Sequence, residues 1–182
     1  TVGGNTITPV IINGKPLKSI NQFYNKKLSK LKSRQDLCKN KTVNKKKIQT
    51  LTNKRNNKIK DYLHKASRIL VNHLVSNDIS TVVIGHNKEW KQDINIGKQN
   101  NQKFVQIPYN SFIAKLEYKC QEVGITLITI NESYTSGTSF LDNELPIKEN
   151  YNKKRRIKRG LFKSNSGKLI NADINAACQI LR

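Results

Sequence analysis

Thr81-Val82-Val83-Ile84-Gly85 and Ile125-Thr126-Leu127-Ile128-Thr129-Ile130 decide the fold. Each is a short β-branched run without polar alternation, the pattern of a strand buried on both faces of a sheet. Between them, Phe112, Leu116, Cys120 and Val123 recur at helical spacing over roughly Ser111 to Val123, and Gly124 is placed to end that helix. Strand, loop, helix, strand predicts a parallel α/β arrangement.

Upstream, from about Leu17 to His73, the pattern is helical. Ile20, Phe23, Tyr24, Leu28 and Leu31 form one stripe; Ile59, Tyr62, Leu63, Ala66, Ile69, Leu70 and Leu74 form another. Lys39 to Asn57 between them is polar and reads as a solvated helix or a hairpin tip. The expectation is therefore two antiparallel helices, a basic hairpin over about 17–76. Pro9-Val10-Ile11-Ile12 before it predicts a short strand, and Asn13-Gly14 a tight turn. Downstream, Glu132 to Lys168 is long for a structureless connection, so about 133–168 is expected to be an inserted basic lobe or a lid. The chain closes on a short helix with Asp173 near its start.

The composition narrows the partners. Thirty-four Lys and Arg face twelve Asp and Glu, a formal charge of +22 on 182 residues. Such a surface repels itself unless a polyanion binds it, and nucleic acid is the usual polyanion. Membrane is not expected as a partner: no apolar run approaches the ~18–20 residues that span a bilayer, and no lipidation motif or secretory signal is seen. Three scattered cysteines (Cys38, Cys120, Cys178) and no CxxC pair suit an intracellular, reducing compartment. The chain starts at Thr1, which suits a piece processed or cut from something longer.

Two runs concentrate the positive charge. Lys26 to Lys60, with Lys45-Lys46-Lys47 at its middle, contains one acid, Asp36; Lys153-Lys154-Arg155-Arg156-Ile157-Lys158-Arg159 contains none. A charge run can be merely a solvated face, and the second also fits a nuclear-localisation signal. Two runs of one sign favour phosphate contact, and these residues are the nucleic-acid-binding candidates. His64, His73 and His86 form no metal-binding spacing. Trp90 reads as a core or hinge aromatic, with base stacking as the rival.

Two carboxylates stand where α/β proteins place chemistry. Glu132 follows the strand ending at Ile130, and Asp173 opens the last helix. Taken singly, the first is a solvated residue and the second a helix N-cap. Together on a basic chain they admit phosphodiester hydrolysis. That chemistry needs about three converging carboxylates to hold two Mg²⁺ ions.

Glu132-Ser133-Tyr134-Thr135-Ser136 and Asn171-Ala172-Asp173-Ile174-Asn175-Ala176-Ala177 resemble the Glu-Ser-x-Thr-Ser and Asn-Ala-Asp-x-Asn-Ala-Ala signatures of TnpB (OrfB) proteins, transposon-encoded relatives of the type V CRISPR nucleases. Ile11-Ile12-Asn13-Gly14-Lys15-Pro16-Leu17-Lys18, Asn101-Gln102-Lys103-Phe104-Val105-Gln106-Ile107-Pro108 and Arg156-Ile157-Lys158-Arg159-Gly160 extend the likeness over most of the chain. The resemblance implies an RNase H-like (RuvC) fold, incomplete at its N-terminus, with a helical hairpin insertion and a small basic lobe before the last helix. It also implies a Mg²⁺-dependent endonuclease with a guide RNA and DNA as partners, sequence being read by guide pairing.

Asp173 matches the family's final catalytic Asp. The usual catalytic Glu follows the earlier strand, where Gly85 stands here; Glu132 matches the relocated Glu of some members, and Glu89 is the alternative. The first catalytic Asp belongs to an Asp-x-Gly strand ahead of the Asn-Gly-Lys-Pro stretch, and no Asp precedes Asp36. The chain as given is therefore expected not to cleave, and a nuclease-dead binder or a transposon relic is the competing reading. Many relatives carry two CxxC zinc knuckles before the final Asp. Ser139 and Asp142 stand near the first, Lys163-Ser164-Asn165-Ser166-Gly167 near the second, so no zinc is expected. Asp142 and Glu144 are expected to be solvated.

Overall fold

A computed structural model of the chain describes residues 10–37, 42–86 and 106–182, the side chains of 42–44 excepted. Among these, the chain forms two compact units, one holding 10–78 and 106–124, the other 79–86 and 125–182.

The first unit is helical. Helix α1 (Lys15–Leu37) packs along α2 (Thr42–Ser76), and α2 packs against α3 (Tyr109–Glu122). Leu17, Ile59 and Leu63 form a buried cluster, with Ile20, Tyr62, Ile107 and Phe112 against it. From Thr42 onward the polar stretch is helical, as part of α2. Side chains hold it against α1: Tyr24 Oη meets Thr52 Oγ1 at 3.1 Å, and Arg55 Nε donates to the buried Asn21 at 2.8 Å. Gln106 joins this network through reciprocal 3.1 Å amide bonds with Asn25.

Asn13-Gly14 departs from the expected hairpin turn. The Asn13 side chain accepts from Lys15 N–H at 3.0 Å, so the pair opens α1, and residues 10–14 carry no strand. A short side-chain acceptor satisfies a first-turn donor more directly than a hairpin would here. Gly124 adopts φ +73° after α3, the left-handed conformation that ends helices and that glycine takes without steric cost. Leu116 and Cys120 of the α3 stripe are buried; Val123 is exposed. Lys119, between them, is also buried, its ammonium donating to His64 O and Ser67 Oγ at 2.7 Å each.

In the second unit β1 (Thr81–Gly85) and β2 (Thr126–Ile130) pair in parallel, Thr81 opposite Thr126 and Gly85 opposite Ile130. His86 N–H extends the ladder to Ile130 O at 2.9 Å. The strands are less buried than their β-branched runs predict. Ile128 remains 44% exposed; among the described residues of this unit the last helix, α4 (Ala172–Ile180), packs on β1. Between β2 and α4 the chain makes two 3₁₀ turns (Lys148–Asn150 and Lys153–Arg155) and an antiparallel sheet of β3 (Arg156–Lys158), β4 (Leu161–Lys163) and β5 (Leu169–Asn171), in that order. Phe162 is fully buried beneath it. No helix among the described residues is long and apolar enough to cross a membrane.

Candidate active site and nucleic-acid interface

Parallel strands in register end together, and the concave edge beyond their carboxyl ends is where α/β proteins bind ligands. Gly85 is the last residue of β1, and Glu132 lies two residues past the end of β2. A Cβ placed on Gly85 would sit 3.1 Å from Glu132 Oε2, 3.1 Å from Glu132 Cβ and 2.6 Å from Ile180 Cδ1. The Glu132 carboxylate thus fills the space that a side chain at position 85 would take. Burial raises the Glu132 pKa, and the hydroxyl of Thr135, donating at 3.2 Å, offsets part of that rise.

Asp173 does not cap its helix. Asn171 does, its Oδ1 accepting from Asp173 N–H at 2.9 Å and Ile174 N–H at 3.2 Å. The Asp173 carboxylate is left in the first turn with 77% of its side chain exposed, 3.5 Å from an Arg156 guanidinium nitrogen. One helical turn on from Asn171, Asn175 is fully buried. Its amide donates to Thr138 O at 2.8 Å and accepts from Phe140 N–H at 3.0 Å. The Asn-Ala-Asp-Ile-Asn stretch therefore divides its work: one Asn starts the helix, the other ties it to the Glu132-containing loop, and the Asp between them faces outward.

Arg156, Lys158, Arg159 and Gly160 surround Asp173 in a concavity of about 500 Å³. Lys153 and Lys154 are exposed nearby in sequence. Arg155, from the same run, is turned inward: its guanidinium pairs with both oxygens of Glu144, and the two side chains are 14% and 15% exposed. In the helical unit, Lys46 and Lys47 of α2 face Lys27, Lys30 and Arg34 of α1 across a cleft of about 580 Å³, while Lys45 is exposed outside its lining. The α1 cations were not distinguishable in sequence from the rest of the run, since only helical phase places them opposite α2. Glu89, Trp90 and Cys38 lie outside the described residues.

The expectation of a solvated pair is corrected for Glu144, whose side chain is 15% exposed; Asp142 stays near the surface but is hydrogen-bonded. Glu144 accepts from Arg155, from Ser139 N–H at 2.9 Å and from Asn165 Nδ2 at 2.8 Å. Asp142 accepts from Asn165 N–H at 2.6 Å and Ser166 N–H at 3.3 Å. Arg155, opposing burial, holds the Glu144 carboxyl below its ordinary range. For Asp142, burial works upward, but hydrogen bonds from Ser139, Asn165 and Ser166 prevail and lower its pKa. Turns rich in backbone N–H groups supply these partners, and sequence spacing does not reveal them.

Among the described residues, no three His, Cys, Asp or Glu side chains gather within reach of one metal ion. Glu132 and Asp173 offer carboxylate oxygens, the donor type a hard divalent cation takes.

These features define an α/β protein with a sheet-end carboxylate and a strongly basic surface. Residues 1–91, half of the chain, match the family described as a probable transposase, OrfB of IS605, and residues 109–180 match the Cas12f1-like TNB domain. The chain belongs to the OrfB (TnpB) family. No curated protein sequence matches it. Two solved structures share its fold at 22% identity. The Cas12f1–sgRNA–target DNA complex gives a TM-score of 0.65 over 97% of this chain and 44% of that one. The CRISPR-Cas12f ternary complex gives 0.74 over 98% and 35%. The chain thus spans less than half the length of either.

Proposed function

We propose that the chain is the nuclease portion of a TnpB-like, RNA-guided DNA endonuclease with an RNase H-like (RuvC) core. In this reading 17–76 is a helical insertion, and 133–168 is a lobe standing in place of zinc knuckles. The observation that carries it is the Glu132 carboxylate lying in the side-chain space of Gly85 at the ends of two parallel strands. A carboxylate from the neighbouring strand thereby takes the position the family usually fills from β1.

Glu132 and Asp173 would hold Mg²⁺, which when bound activates water and stabilises the leaving oxygen of a phosphodiester. The two residues fit in donor type, and a third carboxylate is needed from residues outside the described ones or from a longer protein. Glu132 is held raised in pKa by burial, a state that a nearby cation would reverse. Thr135 fixes its orientation. Arg156, now against Asp173, is placed to receive a phosphate oxygen once that carboxylate is otherwise engaged. Lys153, Lys154, Lys158 and Arg159, with Lys45, Lys46 and Lys47 of the hairpin, would neutralise the backbones of guide RNA and target DNA. The solved Cas12f1–sgRNA–target DNA complex, which shares this fold, supports those partners.

The test is Mg²⁺-dependent cleavage of single-stranded DNA by this chain and by a form extended upstream to include an Asp-x-Gly strand. Cleavage by the extended form that disappears in Glu132→Ala and in Asp173→Ala is the expected result. Cleavage that survives Glu132→Ala overturns that assignment and moves it to Glu89. Salt-sensitive binding without cleavage in any form favours a nuclease-dead binder.

A further inference from the structure

Two half-exposed tyrosines meet edge to face in the lobe that follows Glu132. Tyr134 is 42% exposed and Tyr151 39% exposed; their ring centroids are 5.8 Å apart, with the planes at 68°. Tyr134 has φ +58°. The other described non-glycine residues with positive φ are Asp78 and Asn143, types that tolerate the left-handed region, whereas a bulky aromatic there is strained. With 42% of the residue exposed, burial offsets only part of that strain.

The surrounding chain is built to keep both rings in place. Tyr134 O accepts from Gly137 N–H at 3.3 Å and from the hydroxyl of the fully buried Thr138 at 3.1 Å. Gly137 is the floor for the second ring: a Cβ there would fall 2.5 Å from Tyr151 Cε2 and 2.6 Å from its Cδ2, so a glycine is needed for the ring to lie where it does. Asn152 N–H then bonds Gly137 O at 3.0 Å, and the Asn152 side chain accepts from Lys154 N–H at 3.0 Å, fixing the 3₁₀ turn that presents Lys153 and Lys154. Thr135, next to Tyr134, donates to Glu132. An aromatic corner, two exposed cations and a sheet-end carboxylate are thus linked by backbone and side-chain hydrogen bonds within one lobe.

Aromatic faces alternating with phosphate-binding cations are the means by which proteins hold single strands without reading their sequence. We propose that the Tyr134–Tyr151 corner stacks one unpaired nucleobase of the strand to be cut, with Lys153 and Lys154 on the adjoining phosphates. The stacked base sets the register of the scissile phosphate relative to Glu132. This deepens the nuclease reading above and rests on it. Tyr134 is a positioning residue, and the strain at its backbone serves to hold the ring outward.

The experiment measures binding of the 182-residue chain to a short oligothymidylate and to an abasic oligomer of the same length and charge, with Tyr134→Leu, Tyr151→Leu and Tyr134→Phe alongside. Wild type is expected to bind the base-containing strand about tenfold more tightly than the abasic one. The Leu variants should lose that difference while keeping abasic binding, and Tyr134→Phe should retain it. A 2-aminopurine placed in the strand should be quenched by wild type and less so by the Leu variants. Equal wild-type affinity for the two strands overturns the proposal, and it does so even where a Leu variant fails to fold. So does a Leu variant that folds and keeps the preference. Absence of binding to either strand overturns the nucleic-acid reading itself, a result distinct from binding without preference.

Discussion

Replacing Arg155 with Met tests how the lobe between β2 and α4 is held together. The Arg155–Glu144 pair is largely buried, and Glu144 receives both guanidinium bonds, a backbone N–H from Ser139 and an amide from Asn165. Met fills similar volume but leaves a buried carboxylate with two of its donors gone. Breaking a buried pair from one side costs about 3–5 kcal/mol. For a chain of this length that corresponds to a fall in Tm of roughly 10 °C. Glu144→Gln added to Arg155→Met should recover at least about 1 kcal/mol, because the uncompensated charge is removed while an acceptor stays. The pH dependence follows from Arg155 lowering the Glu144 pKa. The folded state binds fewer protons than the unfolded one, so this stability is complete above the ordinary glutamate pKa of about 4.3 and is lost as pH falls through the lower folded value. Thermal melts by circular dichroism at pH 7 and through the acid range would measure both effects. An Arg155→Met variant that melts with wild type, or a double variant less stable than the single one, would refute the reasoning.

Four further outcomes are expected. Glu132→Gln should raise stability at pH 7 in metal-free buffer by about 1 kcal/mol; its folded pKa is raised, so the wild-type penalty grows as pH rises from the ordinary glutamate value through the folded one, and the variant's advantage should vanish in acid melts. Gly85→Ala should destabilise by about 1 kcal/mol in denaturant titrations, since its Cβ meets the movable end of Ile180 and the Glu132 side chain. Phe162→Ala, emptying a fully buried site, should cost about 3–5 kcal/mol in the same titrations. Lys46→Gln with Lys47→Gln should lower the slope of log K against log salt for oligonucleotide binding by about 1.5, two cations fewer on the hairpin cleft.

Much of the fold could be read from local chemistry. The β-branched runs at 81–85 and 125–130, the Phe112–Cys120 stripe and Gly124 each encode their element within a few residues, and those elements form. What escaped reading depends on partners distant in sequence. Asn171 and Asp173 are equally good capping residues by type, and it is Asn171, in extended conformation at the end of β5, that takes the role. Glu144 and Arg155 look like solvated charges because nothing periodic joins them. The polar middle of α2 looks interruptible because the residues that hold it, Asn21 and Tyr24, sit on another helix. For the candidate site, Glu132, Thr135 and Asp173 were visible through motif likeness, whereas the Tyr134–Tyr151 pairing and the use of Arg155 needed three dimensions.

The contact between Gly85 and Glu132 also constrains how such a site could have come to differ between relatives. The two positions compete for one volume, so a glutamate at each would set like charges against each other in a space where even a methyl group crowds Ile180 and Glu132. Under the proposed assignment, an acid at both positions at once would be disfavoured unless a bound cation offset the charges. Residues 85 and 132 should accordingly behave as a single heritable character, small with acidic or acidic with small.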